Sequence, residues 1–522
     1  MLEFIAKWAP EVTGVLSGFD RLLFRGTLRS LCFVGGMMSY LWHRQVLLKD
    51  FGAHVEAVTE QIKAASTRKA IRLGREVRYL ASPSLRKEDV AREIAARDGI
   101  REGLVCVLSS VEPCWSYEVH RSRESKLLEL QPRFRKCLHY YHYWLSPEWG
   151  PMHGRIQTWF PFTMHVCLNG REALARRFDR AGLAYRQRDN CFVWIEDPKR
   201  AQSLAEEMLR TDWPGLLGRV ARELNPAHEK IFRCAPQEYY WSASQSEWAT
   251  DVMFRSPERL GAVYPRLVRH GITAFQSPDV MRFLGRAVPA STGRVNRRFQ
   301  GEVVSDLKHR PEGVRLKHTV GANSIKLYDK QASVLRVETT VNEPADFKVY
   351  RTKEGERKGE RSWRTLRRGV ADLHRRAQIS QAANERYLKA LAAADATERL
   401  GDLLPPLCQP TKWRDRRVRG LSPWGKDQPL LAALGRGEFA IQGLRNRDLR
   451  KALAPESDQD PIERRRQTAR TSRLLRLLQA HGLIRKVSKT HRYILTDKGH
   501  TLVAALSSAG QATPKQLAQL IA

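Results

Sequence analysis

Acidic residues are scarce beside basic ones: 56 Asp and Glu face 90 Lys and Arg in 522 residues, for a formal net charge of +34. A polyphosphate partner answers such an excess, because each phosphate neutralised releases a condensed counterion. The chain lacks a basic amphipathic anchor, which argues against an anionic membrane surface as that partner. It lacks a signal-peptide layout, since Glu3, Lys7 and Glu11 interrupt any apolar core near its start. Its run Leu31–Trp42 is too short to span a bilayer and contains Gly35 and Gly36. A cytoplasmic protein with no membrane partner is therefore expected. The eight cysteines are scattered, with no C-x2-C pair and no zinc-finger spacing, so core packing in a reducing compartment accounts for them. There is no internal repeat and no low-complexity tract. Hydrophobic residues make up 42% of the chain, which excludes a wholly disordered polymer.

The pattern along the chain divides into six segments in an α+β, multidomain arrangement. Residues 1–130 read as an α/β domain: Ala53–Leu73 has helical spacing, Glu76–Leu80 and Leu104–Leu108 read as strands, and Lys87–Asp98 between them reads as a helix. Residues 131–200 are aromatic-rich, with a hairpin of Cys137–Leu145 and Gly154–Phe160 turned by Ser146–Pro151 and followed by a helix over Arg171–Ala181. Residues 201–290 read as helical, 291–350 as a central antiparallel meander, 351–424 as a basic helical linker, and 425–522 as a closing module. The stretch Thr411–Gly420 reads as part of that linker.

The closing module carries the sharpest pattern. A short helix with Asn446 near its start precedes a long one over 463–481, where Leu474, Leu475, Leu477 and Leu478 give a buried face. Arg466, Gln467, Arg470 and Arg473 lie toward its N-terminal half, and Gly482 closes it. Strand, loop and strand follow, with Arg485, Lys486, Lys489 and Arg492 along them, then Leu495-Thr-Asp-Lys-Gly499 and a last helix. This succession resembles the winged-helix regulators of the MarR and ArsR type. The resemblance implies a helix-turn-helix whose second helix enters the major groove of duplex DNA, with a basic wing on the backbone or minor groove. In those regulators the module stands almost alone; here it is appended to some 420 other residues, as a targeting device would be.

In the meander, alternation puts Asp306, Arg315, Lys317, Lys326, Tyr328, Arg336 and Glu338 on one polar face, opposite an apolar set that includes Val303, Leu307, Leu316, Leu327 and Val337. Phosphodiester chemistry uses those residue types. Carboxylates hold Mg²⁺ or Mn²⁺, a tyrosine hydroxyl attacks phosphorus, and cations stabilise developing charge. Cross-strand ion pairs on a solvated sheet would use them equally well. Lys326-Leu-Tyr-Asp-Lys330 followed by Leu335-Arg-Val-Glu338 resembles the strand pair of rolling-circle replication initiators from plasmids and filamentous phages. That resemblance implies Tyr328 as nucleophile and Asp306 and Glu338 as metal ligands; Lys326 and Arg336, on the same polar face, are the candidate catalytic cations. The chain departs from the family in having no His-x-His motif.

Two aromatic clusters remain. His139 to Trp144, with Trp149, His153, Arg155, Trp159 and Phe160, would stack single-stranded bases or fill a core. Tyr239–Trp248, with Asp251 and Arg255, reads as a functional loop. Together these features point to a DNA-binding protein of mobile-element or plasmid type that recognises a site through residues 425–510, with a nicking or replication-initiation activity in its body. A non-enzymatic regulator with a large sensing region, and a binder of RNA or single-stranded DNA, stay as alternatives.

Overall fold

The computed structural model describes residues 1–511 apart from 83, 276, 286–302, 311–312, 354–358, 360–361, 394–399, 436–443, 455–459 and 488–489. The described chain falls into two compact units. One comprises Trp8–Tyr264 with Ser305–Glu385; the other comprises Met1–Lys7, Pro265–Val304 and Arg386–Ala522. Among the described residues no helix is long and apolar enough to cross a membrane.

The first unit is built on one sheet of eleven strands. In chain order these are β1 (Val12–Leu28), β2 (Glu76–Tyr79), β3 (Gly103–Arg121), β4 (Leu128–Ser146), β5 (Gly150–Gln157), β6 (Met164–Asn169), β9 (Tyr239–Phe254), β10 (Val304–Arg310), β11 (Gly313–Val320), β12 (Asn323–Lys330) and β13 (Val334–Val341). Separate hairpins are formed by β7 (Tyr185–Arg188) with β8 (Cys191–Ile195) and by β14 (Lys348–Arg351) with β15 (Ser362–Thr365). The order across the sheet is β10-β11-β12-β13-β9-β1-β6-β5-β4-β3-β2. Strands from the first four sequence segments thus join a single sheet. It is mixed, not purely antiparallel as the sequence pattern suggests, because the edge strand β2 runs parallel to β3. A parallel neighbour needs a crossover, and the helix Lys87–Arg97 supplies it.

Position in the sheet explains the strand compositions. β1 lies between β9 and β6 and carries Leu16, Phe19, Leu22 and Phe24 into the core. The Tyr239–Trp248 stretch is not a loop but the first part of β9, which pairs with β1 along nearly its whole length. At the edge, β10 leaves Leu307 45% exposed, so the apolar face of the meander is complete only on β11–β13. The helices Gly170–Ala181, Pro198–Glu207 and Trp213–Leu224 contribute Ala173, Phe178, Ala201, Leu217 and Leu224 to the same core. Asn169 caps the first of these by accepting from the amides of Arg171 and Glu172, and Gly182 ends it in the left-handed conformation at φ 61°. The aromatic segment is mainly core: Tyr140, Tyr141, Tyr143, Trp149 and Phe160 are all buried.

In the second unit, a leucine-rich core gathers the helices Leu400–Cys408, Gln428–Leu434, Asn446–Leu453, Pro461–Ala480 and Asp497–Gln511. Strands β18 (Ile484–Lys486) and β19 (Tyr493–Leu495) pair, and Leu444 forms a single bridge to Tyr493. The basic Thr411–Gly420 stretch is not a linker. It folds into a hairpin of β16 (Thr411–Trp413) and β17 (Arg416–Val418).

Candidate functional site

The register of the meander decides which polar residues meet. Arg315 faces Tyr328, which faces Arg336, which faces Asp251 on β9; one step along, Lys317 faces Lys326, which faces Glu338, which faces Ala249. β9 therefore adds its carboxylates to the polar face of the meander. The next strand adds one more. Between Phe19 and Arg21 the pairing of β1 with β9 shifts by one residue, leaving Asp20 as a bulge. A bulged residue is unpaired and re-aimed, and Asp20 turns to the same cluster.

Asp20, Glu247 and Glu338 each bring a carboxylate oxygen within 4.8 Å of the others. Lys326 donates to Glu338 at 2.5 Å and to Glu247 at 3.3 Å. Arg336 is wholly buried. It holds Asp251 in a two-pronged pair at 2.6 and 2.9 Å, reaches Asp20 at 3.1 Å and donates to the Asn190 carbonyl at 2.7 Å. Arg171, also wholly buried, meets Asp251 at 3.0 Å. The β7–β8 turn brings in Asn190, whose side-chain amide donates to Asp20 at 2.6 Å. The four carboxylates thus face Lys326, Arg336 and Arg171, and Arg21 and Lys330 also line the cavity. Asp20, Glu247, Glu338, Lys326 and Tyr328 line a cavity of about 400 Å³, closed in part by Glu88 and Arg92 of the Lys87–Arg97 helix and by His153.

Electrostatics separate the two inner carboxylates. Burial pushes the Asp20 carboxyl above its ordinary range, and Arg336 only partly opposes this. Burial acts on Asp251 in the same direction, but Arg171 and Arg336 outweigh it and hold that carboxyl low. Lys326 is likewise buried, yet Glu338 and Glu247 keep its ammonium more firmly protonated than usual. Tyr328 is 8% exposed, and burial followed by the Glu338 charge raises its hydroxyl pKa, so the phenol is held neutral.

The sequence-derived residues divide accordingly. Tyr328, Lys326 and Glu338 come together at the cavity. Arg336 is enclosed behind it and engaged by carboxylates, which makes it a positioning residue instead of a partner for substrate. Asp306 lies elsewhere: it sits on the edge strand β10, paired with Arg315 at 3.1 Å and Lys308 at 3.4 Å. Three inter-strand steps separate β10 from β13, about 14 Å, too far for Asp306 and Glu338 to share a metal ion. Asp20, Arg171 and Asn190 escaped the sequence reading, and Glu247 and Asp251 entered it only within or beside the Tyr239–Trp248 stretch read as a loop, without an assigned chemistry. The available signal was charge inside apolar strands: Asp20 amid Leu16–Phe24, and Glu247 and Asp251 amid Trp248–Phe254.

In the second unit, Arg466, Arg470 and Arg473 are exposed along one stripe of the Pro461–Ala480 helix, at spacings of four and three. Gln467 is half-buried and donates to Glu463 at 2.6 Å. Arg485 and Lys486 project from β18 and Arg492 is half-buried beside β19, while Lys489 lies outside the described residues.

No protein-family model, no curated protein and no solved structure matches this chain.

Proposed function

We propose that the protein binds duplex DNA through the C-terminal module, residues 425–511, in the manner of a winged helix. The observation that carries this reading is the arginine stripe of the Pro461–Ala480 helix, set in an order of helix, bridged segment, helix, helix, hairpin and helix. In a winged helix the second helix of the turn motif presents its N-terminal side chains to base edges. Arg466 lies in the first half of this helix and Arg470 and Arg473 at its middle; they would meet the bases, and β18–β19 would be the basic wing. Selection from a random duplex pool by the full-length protein should enrich one sequence. Arg470→Ala should relax one position of it at a cost of about 1–3 kcal/mol. A pool that shows no enrichment would retire site recognition.

A second reading is favoured by the convergence of Asp20, Glu247 and Glu338: metal-assisted cleavage of a phosphodiester. Hard divalent cations take oxygen ligands, and these residues offer three carboxylate oxygens within 4.8 Å of one another. These three residues would hold Mg²⁺ or Mn²⁺, which lowers the pKa of bound water and offsets charge on phosphate. Lys326 would neutralise charge on the transferring group, and Tyr328 would attack phosphorus or orient water. Incubation of the full-length protein with supercoiled DNA and Mn²⁺ should give nicks that Glu338→Gln abolishes. A covalent adduct lost in Tyr328→Phe identifies the tyrosine as nucleophile; nicking that survives Tyr328→Phe assigns the attack to water. Absence of nicking on DNA that the protein binds leaves it a binding protein alone.

A further inference from the structure

We propose that the β16–β17 hairpin, beside the Pro461–Ala480 helix, is a clamp for the phosphate backbone of duplex DNA, beyond the contacts of helix and wing. This rests on the DNA-binding reading above and extends it to a segment that no winged helix requires.

The two elements border a groove of about 900 Å³. Arg414, Arg416 and Arg417 line it from the hairpin, and Arg470, Arg473 and Arg476 from the helix; Lys486 of β18 closes one end. No carboxylate lines it. Among the described residues none of those six arginines has an acidic partner within 4 Å; Arg466, on the same helix, by contrast pairs with Glu463. So many like charges around one concavity repel one another, and a chain of phosphates is the ligand that relieves this at every step. Trp413 and Tyr493 add aromatic walls, and the Arg414 guanidinium lies 4.8 Å from the Trp413 ring centroid.

The hairpin is also held in place, as a clamp must be. Arg419, just past it, makes a two-pronged pair with Asp427 at 2.7 Å in both arms. The Arg419 carbonyl accepts from His481 Nε2 at 2.9 Å, which ties the hairpin to the end of the arginine helix. Gly420 passes so close to Cys408 that a Cβ there would lie 1.8 Å from its carbonyl oxygen. The tip is a two-residue turn in which Arg414 and Asp415 have φ of 48° and 60°. Such a turn favours glycine and asparagine. An arginine held there against its backbone preference is displayed at the tip, and strain of this kind gathers at binding sites.

The test uses the full-length protein and a fluorescent duplex of random sequence, with affinity measured by anisotropy across a salt series. Each phosphate contact contributes about 0.9 to the log–log salt slope. The triple variant Arg414→Gln/Arg416→Gln/Arg417→Gln should lower the slope by about 2.7 and weaken all duplex sequences alike. A control triple, Arg176→Gln/Arg180→Gln/Arg186→Gln, removes the same charge from exposed positions of the other unit and should leave the slope unchanged. Equal effects of the two triples would overturn the clamp, since net charge alone would then be acting. So would wild-type binding with an unaltered slope in the hairpin triple, and that result leaves the DNA-binding reading standing. Wild type that does not bind duplex DNA would end both. A triple variant that loses affinity for duplex RNA but not for duplex DNA would show the partner class to be wrong.

Discussion

Arg336 offers the most severe single perturbation of the first unit. Its guanidinium has no exposed surface and engages two buried carboxylates, Asp251 at 2.6 Å and Asp20 at 3.1 Å. Arg336→Met keeps much of the volume and removes the charge. Taking one partner from a buried ion pair costs about 3–5 kcal/mol, because the remaining charge stays buried. Arg171 still reaches Asp251 at 3.0 Å, so the lower end applies, about 3 kcal/mol. Arg336→Lys keeps the charge but not the planar fork, and should lose about half as much. Urea unfolding followed by tryptophan fluorescence reads the right unit, since only Trp413 and Trp424 of the 13 tryptophans lie in the other one. The pH dependence sharpens the test. Without Arg336 the Asp20 carboxyl loses the cation that partly opposes its burial, so acid neutralises the orphaned charge and the gap between variant and wild type should narrow as pH falls. A loss under about 1 kcal/mol at pH 7, or a gap that widens in acid, would refute Arg336 as the counter-charge of this cluster.

Buried histidines predict acid lability of the same unit. Burial lowers His139 to about 4, His142 to about 3 and His318 to about 4. Their folded values lie below the unfolded 6.5, so the unfolded chain takes up protons first as pH falls. Stability is therefore full above pH 6.5 and lost toward pH 4, at up to about 4 kcal/mol per pH unit for the three together; a denaturant midpoint that stays flat between pH 6.5 and 4.5 would contradict this. In the C-terminal module Leu478 is fully buried among leucines. Leu478→Ala should destabilise that module by about 2–5 kcal/mol, measured by hydrogen exchange of the Pro461–Ala480 amides, and unchanged protection there would show that the helix does not depend on this core.

Local patterns were legible where they decide local structure. Helical spacing places a helix over Lys87–Asp98 and the fold has one over Lys87–Arg97; alternation gives β11 to β13 their two faces. What the sequence hides is pairing at a distance. β1 holds Gly14, Gly18, Asp20, Arg21, Arg25 and Gly26, which break any alternation, and it is a strand because β6 and β9 flank it on both sides. Asp20 and Glu338 are brought together only through that pairing, and no motif spans the interval. Asp306 and Glu338 illustrate the converse. They belong to one sheet and by alternation share a polar face, yet three strand steps keep them apart. Thr411–Gly420 looked like a linker because its charges dominate the composition; two residues with positive φ make it a hairpin.

Whether the arginine helix grips DNA is decided by anisotropy titration of the full-length protein against duplex DNA from low to physiological salt, beside Arg466→Gln/Arg470→Gln/Arg473→Gln. Wild type should bind with a steep log–log salt slope, and the triple variant should lose both affinity and about 2.7 of that slope. A flat slope, no binding at low salt, or a triple variant that binds as wild type does would contradict such a grip.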